Sequence, residues 1–539
     1  MHKANLIALL VLFTGCSSES PQNQFESLLG SEWSKVVNDN PVYASSMGDL
    51  SRNTEWSDTS VENIYSDHQH QLDVLNRLDS LDISNFSEDN KVNYKLFNQE
   101  YKNSTESHAY KTFLMPFSHR GGIQLQHETI SIVPLRNKQH YLDWIERISK
   151  IDVLVDAAIE KAKLGISEEI VPPRFLMQKV FKQIKLQAFV EPKDSPFYRA
   201  FLEIDSSIEG VDIDEIQQEA INVIKLKVIP AYVKLHRFFK DEYLPACRTS
   251  IGIKEINNGK EYYEFLARKF TTTNLSPKEI HEIGLSEVAR IRDEMDTIIN
   301  DVKWEGTFKS FLDDLRTNPK FYYETSEELF ESYLATSKRI DPELVKLFKV
   351  LPSMPYGLKP IPMESAPDTT TAYYQRPAAD GSRAGYYYVN LYRPEVRPKY
   401  EIEVLSVHEA MPGHHLQIAL AMELDLPNFR KYGGITAFVE GWGLYSERLG
   451  YDLGLYKDPY SKFGQLTYDM WRAIGMNNQS FFMHFIFNFP NFFKANTIML
   501  WVLAFIQVVL SNKLFSKMSP AALTKYGVFS FYIYSSLKT

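Results

Sequence analysis

The feature that most limits how this chain can fold is a proline-glycine pair inside a helix-forming stretch, residues 407–417. Pro412 has no backbone N–H to donate, and its ring crowds the carbonyl four residues earlier, which belongs to His408. Gly413 tolerates the backbone angles that a bulge requires. Helix bulges of this kind are frequent at functional sites. We therefore predict that residues 401–418 form a helix with a kink or bulge at this pair.

Histidines surround this break. His408, His414 and His415 are three of the chain's 13 histidines, and they lie beside Glu409. On a straight helix, His414 would lie roughly 120° away from His408 and His415 ~10 Å further along, so neither could share a metal ion with His408. The predicted bulge brings one of them back. Because imidazoles and carboxylates are the usual ligands of catalytic zinc, the stretch predicts a metal site and leaves His414 and His415 as alternative second ligands. A lone histidine on a helix is usually structural, but this cluster around a helix break favours a function.

Three segments, 372–390, 408–417 and 440–447, resemble a known bacterial family. It is the family known as domain of unknown function 885, which itself resembles gluzincin zinc metallopeptidases of the thimet-oligopeptidase and angiotensin-converting-enzyme type. In gluzincins a Gly-His pair ends the zinc motif, and a glutamate further along the chain is the third ligand. The resemblance implies that Gly413-His414 is this pair, with zinc ligands His408, His414 and Glu440. This chain carries two extra residues between Glu409 and Gly413, so His415 stays an alternative to His414.

Roles for the neighbouring residues follow from the same chemistry. Glu409 is next to a ligand without being one, and is predicted to act as general base on a metal-activated water. The histidine that is not a ligand, His415 in this alignment, is predicted to donate to a developing oxyanion or to hold a ligand. Tyr445 is a further catalytic candidate, with plain packing as the alternative. Glu447 shares a helix face with Glu440 and is predicted to orient a ligand.

A change in composition marks residues 351–400, where prolines and glycines cluster. The segments 371–374 and 386–392 are rich in aromatic and β-branched residues and flank a turn at 379–385, which predicts a hairpin. The hairpin either is structural or lines a substrate cleft. Arg376 and Arg383, near the turn, are candidates for binding a substrate carboxylate, because the arginine fork suits that group; ordinary surface arginines are the alternative.

Apolar residues at helical spacing dominate the rest of the chain. Helices are predicted at 151–164, at 216–239 with a kink at Pro230, at 280–302 and at 435–449. The fold class is therefore mainly α: a large helical metallopeptidase-like domain over 25–473, with a small β hairpin or sheet beside the zinc helix. The net charge of −9 argues against nucleic acid as a partner.

Residues 1–15 are predicted to be a signal peptide. A basic start precedes an apolar run from Leu6 to Phe13 that is too short to span a bilayer, and the following Thr14-Gly15-Cys16 resembles a lipobox. We predict cleavage before Cys16, a lipid on its thiol that anchors the protein in a membrane, and a tether over 16–24. Ser17 favours the outer membrane, with the protein facing the periplasm. The alternative is an ordinary signal peptide. With Cys16 lipidated, Cys247 has no intrachain partner.

Residues 470–539 are unusual in composition. All 68 Asp and Glu residues precede them, and 15 of the 66 residues from Ile474 onward are aromatic. Residues 498–510 are apolar except for Gln507, but a spanning helix needs ~20 such residues. The family resemblance ends near Ala473. We interpret 474–539 as a tail translated in the wrong reading frame, with a divergent core segment or a membrane-associating tail as alternatives; a frameshift would keep the metal ligands but remove groups that complete the pocket.

These patterns together predict a zinc-dependent hydrolase, specifically a lipid-anchored peptidase that cleaves peptides. The alternative from another class is a catalytically inactive lipoprotein that binds peptides or protein partners in the same cleft. A hydrolase of esters or non-peptide amides would use the same water chemistry.

Overall fold

The computed structural model describes residues 19–119, 121–363 and 365–477, and most of them are helical. The helices before the sheet are α1 (Pro21–Asp39), α2 (Pro41–Met47), α3 (Val61–Asp79), α4 (Glu88–His108), α5 (Lys138–Ser149), α6 (Ile151–Ser167), α7 (Arg174–Ala188), α8 (Ile213–Val223), α9 (Ile229–Phe238), α10 (Leu244–Ala246), α11 (Gly259–Thr271), α12 (Pro277–Asp301), α13 (Phe308–Thr317) and α14 (Ser326–Ile340). The strands are β1 (Tyr356–Pro360), β2 (Ala372–Gln375) and β3 (Gly385–Val389). The helices after the sheet are α15 (Ile402–Glu409), α16 (His414–Glu423), α17 (Asn428–Tyr432), α18 (Thr436–Asp452) and α19 (Pro459–Asn477). The predicted mainly α fold class is confirmed.

One large core is formed by buried residues between Phe117 and Cys247. The apolar stripe of α6, including Val155 and Ala162, shares one buried cluster with residues of α5, α7 and α9, which confirms the helix predicted at 151–164. The helix predicted at 216–239 is real but not uniform. Its α-helical parts, α8 and α9, are joined by a π-helical turn at Ile224–Val228, with Pro230 in the first turn of α9. Proline cannot donate a backbone hydrogen bond within a helix. The π-helical turn before Pro230 therefore accommodates the distortion that was predicted as a kink.

A second core forms between α12 and α19. Ser276 caps α12: its hydroxyl accepts from the Glu279 backbone at 3.3 Å, and the Glu279 carboxylate accepts from the Ser276 backbone at 2.8 Å. Met295 of α12 and Leu466 of α19 belong to one buried cluster. The last described helix is therefore anchored in the fold up to Ala473, which is fully buried.

The small sheet lies beside α15. Strands β2 and β3 pair antiparallel, which confirms the predicted hairpin, and β1 adds in parallel to the other side of β3 in a strand order that the sequence did not predict. Tyr387 and Val389 of β3 pack into the same buried cluster as Ile402 and Leu405 of α15. The sheet thus supports the helix that carries His408, as predicted.

Two boundaries differ from prediction. The single helix predicted over 401–418 is wrong, because Pro412-Gly413 interrupts the chain completely and leaves two helices, α15 and α16. Helix α1 begins at Pro21, inside the segment predicted to be a tether. The predicted signal peptide and Cys16 lie outside the described residues, as does the predicted tail beyond 477. Among the helices that are described, none combines the length and apolarity needed to cross a membrane.

Candidate metal centre

The turn between α15 and α16 is built around a close backbone approach. A Cβ on Gly413 would lie 2.5 Å from the carbonyl carbon of His408 and would collide with the carbonyl oxygen, so a larger residue cannot take this position. The His415 backbone N–H donates to the Ala410 carbonyl at 3.1 Å and carries the hydrogen bonding across the break. As a result, the His414 ring returns to His408, with 4.7 Å between ring centroids and 86° between ring planes.

Helix α18 holds this turn in place. The Trp442 indole N–H donates to the Pro412 carbonyl at 2.8 Å, and the Ser446 hydroxyl lies 3.3 Å from the same oxygen. Between them, Gly443 lies directly under the His408 imidazole, because a Cβ there would be 2.6 Å from His408 Nε2. The helix that fixes the turn therefore also sits against the histidine, and it carries Glu440 one turn before Gly443.

His408, His414 and Glu440 are brought together as one cluster, with one ligand atom from each lying within 4.8 Å of the others. Glu440 Oε2 lies 3.8 Å from His408 Nε2 and 3.8 Å from His414 Nε2. Two bonds of ~2.0–2.1 Å at a tetrahedral angle separate zinc ligands by roughly 3.3 Å. The two separations from Glu440 Oε2 exceed that value by about 0.5 Å, and the imidazole nitrogens of His408 and His414 lie within 4.8 Å of each other. The cluster can therefore close on a metal ion with small side-chain movements.

The surroundings of the cluster suit a cation. Glu440 Oε2 is buried and accepts no hydrogen bond from the described residues, and a buried carboxylate oxygen without a donor is costly. Burial lowers the pKa of His414 to about 4. Burial also lowers the pKa of His408, but its contacts with Glu440 and Glu447 outweigh burial and raise that pKa to about 9. The carboxylates thus favour positive charge at this point, and the donor set of two imidazoles and one carboxylate fits zinc.

Glu447 orients His408, as its position on the Glu440 face predicts. Its Oε1 accepts from His408 Nδ1 at 2.7 Å, which leaves Nε2 of the ring facing Glu440. Arg472 of α19 grips both oxygens of Glu447, with 2.9 Å from Nη1 to Oε2. Arg472 also lies 3.8 Å from Asp469, which in turn accepts from Arg448 at 2.8 Å. This buried chain fixes the tautomer and angle of a histidine in the way that outer partners fix metal ligands.

Glu409 lies at the edge of the cluster. Its Oε2 is 4.0 Å from His414 Nε2, and the residue is buried. Burial raises the pKa of Glu409 to about 7, and the charge of His408, which lowers it, has the smaller influence. The structure thus places the predicted general base next to the three predicted ligands without making it one of them.

His415 and Tyr445, also predicted as site residues, lie elsewhere. The Tyr374 hydroxyl donates to His415 Nδ1 at 2.8 Å, and His415 Nε2 donates to the Met354 carbonyl at 3.0 Å. Both ring nitrogens are therefore engaged in joining α16 to β2 and to the segment that precedes β1. Tyr445 packs with Trp442 at 5.8 Å between rings, in the apolar cluster under the turn.

Sequence reasoning missed Arg472 and Gly443. Nothing in the sequence pairs Arg472 with Glu447, which lies 25 residues earlier on another helix. For Gly443 a signal was present, since a glycine inside a helix costs about 1 kcal/mol relative to alanine and suggests a close approach. Of the two predicted arginines, Arg376 lines a cavity beside the cluster, while Arg383 donates to the Arg376 carbonyl at 2.9 Å.

The fold and this site define a mainly helical protein with a cluster of two buried histidines and one partly buried glutamate. The chain belongs to the family described as "Bacterial protein of unknown function (DUF885)", whose family model matches residues 41–476. This match confirms the resemblance to the family that the sequence motifs indicated. Among curated proteins, none matches the chain significantly.

Two solved structures share the fold. "The crystal structure of the putative lipoprotein from Colwellia psychrerythraea" matches with a TM-score of 0.83 and 23% identity, over 96% of this chain and 99% of that chain. "The structure of a putative lipoprotein of unknown function from Shewanella oneidensis" matches with a TM-score of 0.59 and 13% identity, over 96% and 100% of the two chains. At these identities the likeness shows a common fold alone.

Proposed function

We propose that the protein is a zinc-dependent hydrolase that cleaves peptide bonds. The observation that carries this proposal is the buried convergence of His408, His414 and Glu440, with Glu409 beside them. Zinc, when bound, would lower the pKa of a coordinated water and polarise a substrate carbonyl. The motif was also expected to resemble that of the gluzincin peptidases, and under that expectation His408, Glu409, His414 and Glu440 would follow the same order along the chain.

The position of each residue near the cluster suggests its role in hydrolysis. Glu409 would accept a proton from the attacking water and pass it to the leaving nitrogen, which fits a carboxylate next to the ligands but outside them. Glu447, clamped by Arg472, would keep His408 in the tautomer whose Nε2 faces the cluster. His415 would hold α16 in place through its hydrogen bonds with Tyr374 and Met354, and Tyr445 would act through its packing with Trp442.

A peptide substrate is supported by the sheet. Strand β2 is an edge strand, since the order is β1-β3-β2. The Tyr374 ring of this strand lies 6.5 Å from the His414 ring. An extended peptide that added to β2 would therefore pass beside the cluster, with main-chain hydrogen bonds supplying affinity without sequence preference.

We also propose that the protein is a lipoprotein of the outer membrane that faces the periplasm, anchored through Cys16. The lipobox-like residues Phe13 to Cys16 and the serine that follows them support this localisation. The two solved structures compared above are each described as a putative lipoprotein, which supports this proposal. Labelling with a radioactive fatty acid tests the anchor: Cys16→Ala should abolish incorporation, and incorporation that survives the change would contradict it.

Metal content and peptide hydrolysis test the proposed activity. The wild type should bind one zinc ion per chain and cleave a mixture of short peptides. Glu409→Gln should keep the zinc and lose about 10²–10⁴-fold in rate, the usual contribution of a general base. Glu331→Gln, an exposed glutamate on α14, is the matched control and should leave both unchanged.

Each other outcome has a definite meaning. A wild type that takes up no zinc overturns the metal site. A wild type that binds zinc and cleaves no peptide overturns the peptidase and favours the inactive peptide-binding lipoprotein.

A further inference from the structure

Residues 174–189 and 224–240 form a pair of segments whose charged residues are all basic. They contain nine lysines and arginines and no aspartate or glutamate, although acidic residues outnumber basic ones by 68 to 59 in the whole chain. The first segment contains α7, and the second runs from the π-helical turn at Ile224–Val228 through α9. Charge of one sign on neighbouring elements favours a partner of the opposite sign.

Helices α7 and α9 lie side by side and run antiparallel. The His236 ring of α9 stacks on the Phe181 ring of α7 and meets the Phe189 ring edge-on, both at 4.8 Å between centroids. Arg174, at the start of α7, donates to the carbonyl of Pro245, which follows α9, at 2.6 Å. The π-helical turn that precedes α9 therefore lies toward the C-terminal end of α7.

That end of α7 combines lysines with apolar side chains in solvent. Lys182, Lys185, Leu186 and Phe189 are all exposed, and their spacing of three, four and seven residues from Lys182 puts them on one side of the helix. Leu186 is 69% exposed and Phe189 is 59% exposed. Large apolar side chains that share a surface in this way mark an interaction site more often than scattered ones do.

The second segment repeats the combination. In the π-helical turn, Leu226 is 68% exposed and lies between Lys225 and Lys227, which are exposed as well. Burial, and after it the charge of Lys240, lowers the pKa of His236, whose ring contacts α7, so Lys240 adjoins the same surface. We call this surface the basic face, and its members are Lys182, Lys185, Leu186, Phe189, Lys225, Leu226, Lys227 and Lys240.

The five lysines of the basic face form no ion pair with any residue in the described part of the chain. At the α6 side of α9, by contrast, Lys234 pairs with Asp156. Acidic residues follow each segment at its end, namely Glu191, Asp194, Asp241 and Glu242, and Glu242 approaches Lys163 at 3.9 Å. The basic face therefore stays positive in a chain whose net charge is −9.

The composition of the basic face decides between possible partners. A second copy of this chain, bound symmetrically, would put the same lysines against each other. A nucleic acid would use the lysines but would leave the protruding apolar side chains without a role. An anionic bilayer uses both, because apolar side chains enter the headgroup region while lysine ammonium groups stay with the phosphates.

We propose that the basic face lies on an anionic lipid surface, with Leu186, Phe189 and Leu226 between the headgroups and the lysines against the phosphates. This contact goes beyond the proposed lipid on Cys16, because it needs no acylation. A single acyl chain holds a protein to a bilayer only weakly, so a second contact would make the attachment stable. The inference is independent of the proposed hydrolase, since the basic face borders the core that contains none of the proposed ligands.

Vesicle binding by the chain from residue 16 onward, with Cys16→Ala, tests the inference without a lipid on the protein. Vesicles that contain phosphatidylglycerol should bind it at least about tenfold more tightly than vesicles of phosphatidylcholine alone, because each lysine near an anionic surface adds attraction. Added salt should weaken the binding, since it screens exposed charges. Co-sedimentation over a range of lipid concentrations measures both effects.

Paired variants assign the binding to the basic face. Lys182→Gln with Lys185→Gln should weaken it about tenfold, whereas Lys278→Gln with Lys309→Gln, two exposed lysines on α12 and α13, should leave it unchanged.

The apolar side chains have their own control. Leu186→Ser should weaken binding, and Leu285→Ser, at a leucine of α12 that is 52% exposed, should not. All four variants change exposed side chains and should leave the zinc content and the melting temperature unchanged.

A tryptophan placed on the basic face reports contact with the lipid directly. The fluorescence of Phe189→Trp should be quenched by brominated phosphatidylglycerol more than that of the wild type, and Leu285→Trp should show no added quenching.

Four results would overturn the inference. The first is equal binding to both kinds of vesicle. The second is binding that survives the double lysine change, which would place the contact elsewhere in the chain. The third is a Phe189→Trp side chain that is not quenched, and the fourth is self-association in solution that Leu186→Ser abolishes, which would show that a second copy covers the basic face.

Discussion

At the scale of single residues, His414 and His415 are neighbours with opposite surroundings. His414 Nε2 faces Glu440 at 3.8 Å, whereas both nitrogens of His415 are engaged by Tyr374 and Met354. We expect His414→Gln to lose bound zinc. His415→Gln should keep zinc but lower stability by about 1–3 kcal/mol, because buried partners are left unsatisfied. Zinc per chain and the melting temperature of each variant are the measurements, and the reverse result would make His415 the ligand.

A glycine sets the position of the first ligand. An added Cβ on Gly443 would lie 2.6 Å from His408 Nε2, so Gly443→Ala should push the imidazole away from Glu440. We expect zinc affinity to fall about 10–100-fold, as for loss of an outer partner of a ligand. Gly30→Ala is the matched control: this glycine lies in α1 with open space around it, so alanine there should leave zinc affinity unchanged. Equal affinities in competition titrations of both variants would contradict the prediction.

At the scale of elements, three helices meet in one buried chain of charges. His408 of α15 donates to Glu447 of α18, which Arg472 of α19 grips with two hydrogen bonds. Arg472→Met would leave Glu447 and Asp469 as buried carboxylates without their shared partner. Removing one member of a buried ion pair costs about 3–5 kcal/mol. We therefore expect a large loss of stability in denaturant unfolding, together with weaker zinc binding.

Two further variants sharpen this test. Arg472→Lys keeps the charge without the two-pronged grip, and should recover part of the stability and of the zinc affinity. Lys309→Met, which breaks an exposed pair with Asp313 on α13, should cost less than about 1 kcal/mol. If Arg472→Met lowers the free energy of unfolding no more than Lys309→Met does, the buried charges do not contribute to the stability of the fold.

The elements also show which parts of the molecule sequence patterns can predict. Periodicity predicts α6, and periodicity together with capping residues predicts α12, because both signals come from residues that are close together in the sequence. The pairing of β2 with β3 follows from a local turn, and the place of Glu447 follows from helix geometry. The parallel pairing of β1 and the reach of Arg472 to Glu447 depend on segments distant in sequence, so local patterns do not contain them. Pro412-Gly413 predicts a distortion, but only the contact of Trp442 with the Pro412 carbonyl determines that it is a full break.

At the scale of the whole molecule, the candidate metal centre and the large core formed by residues 117–247 are separate clusters. The core around α5 to α9 contains none of the three predicted ligands, which lie on α15, α16 and α18. A cavity of about 850 Å³ is lined by residues of α3, α4 and α11 and by residues of α16, α17 and the start of α18. Changes in the first core should therefore alter stability and leave zinc affinity unchanged.

His127 makes that separation measurable. It is buried beside the large core and accepts from Gln187 through Nδ1 at 2.9 Å. Burial lowers the pKa of His127 from 6.5 to about 4. Between these values the unfolded chain binds a proton that the folded protein excludes, so stability is complete above about pH 6.5 and falls as the pH is lowered to about 4. At about 1.4 kcal/mol per pKa unit, the loss approaches about 3 kcal/mol.

Substitution of His127 should make the free energy of unfolding depend less on pH between pH 6.5 and 4. His127→Gln has no titrating ring, and its amide can still accept from Gln187, so the difference in unfolding free energy between variant and wild type should shift in favour of the variant as the pH falls from 6.5 to 4. Urea titrations at several pH values, with protein stripped of metal, measure this difference without interference from the ligand histidines. A difference that stays constant over the range would mean that the buried ring takes up its proton in the folded state. Zinc affinity measured at pH 7.5 should be the same in both proteins, because the ring lies in the core that carries no ligand.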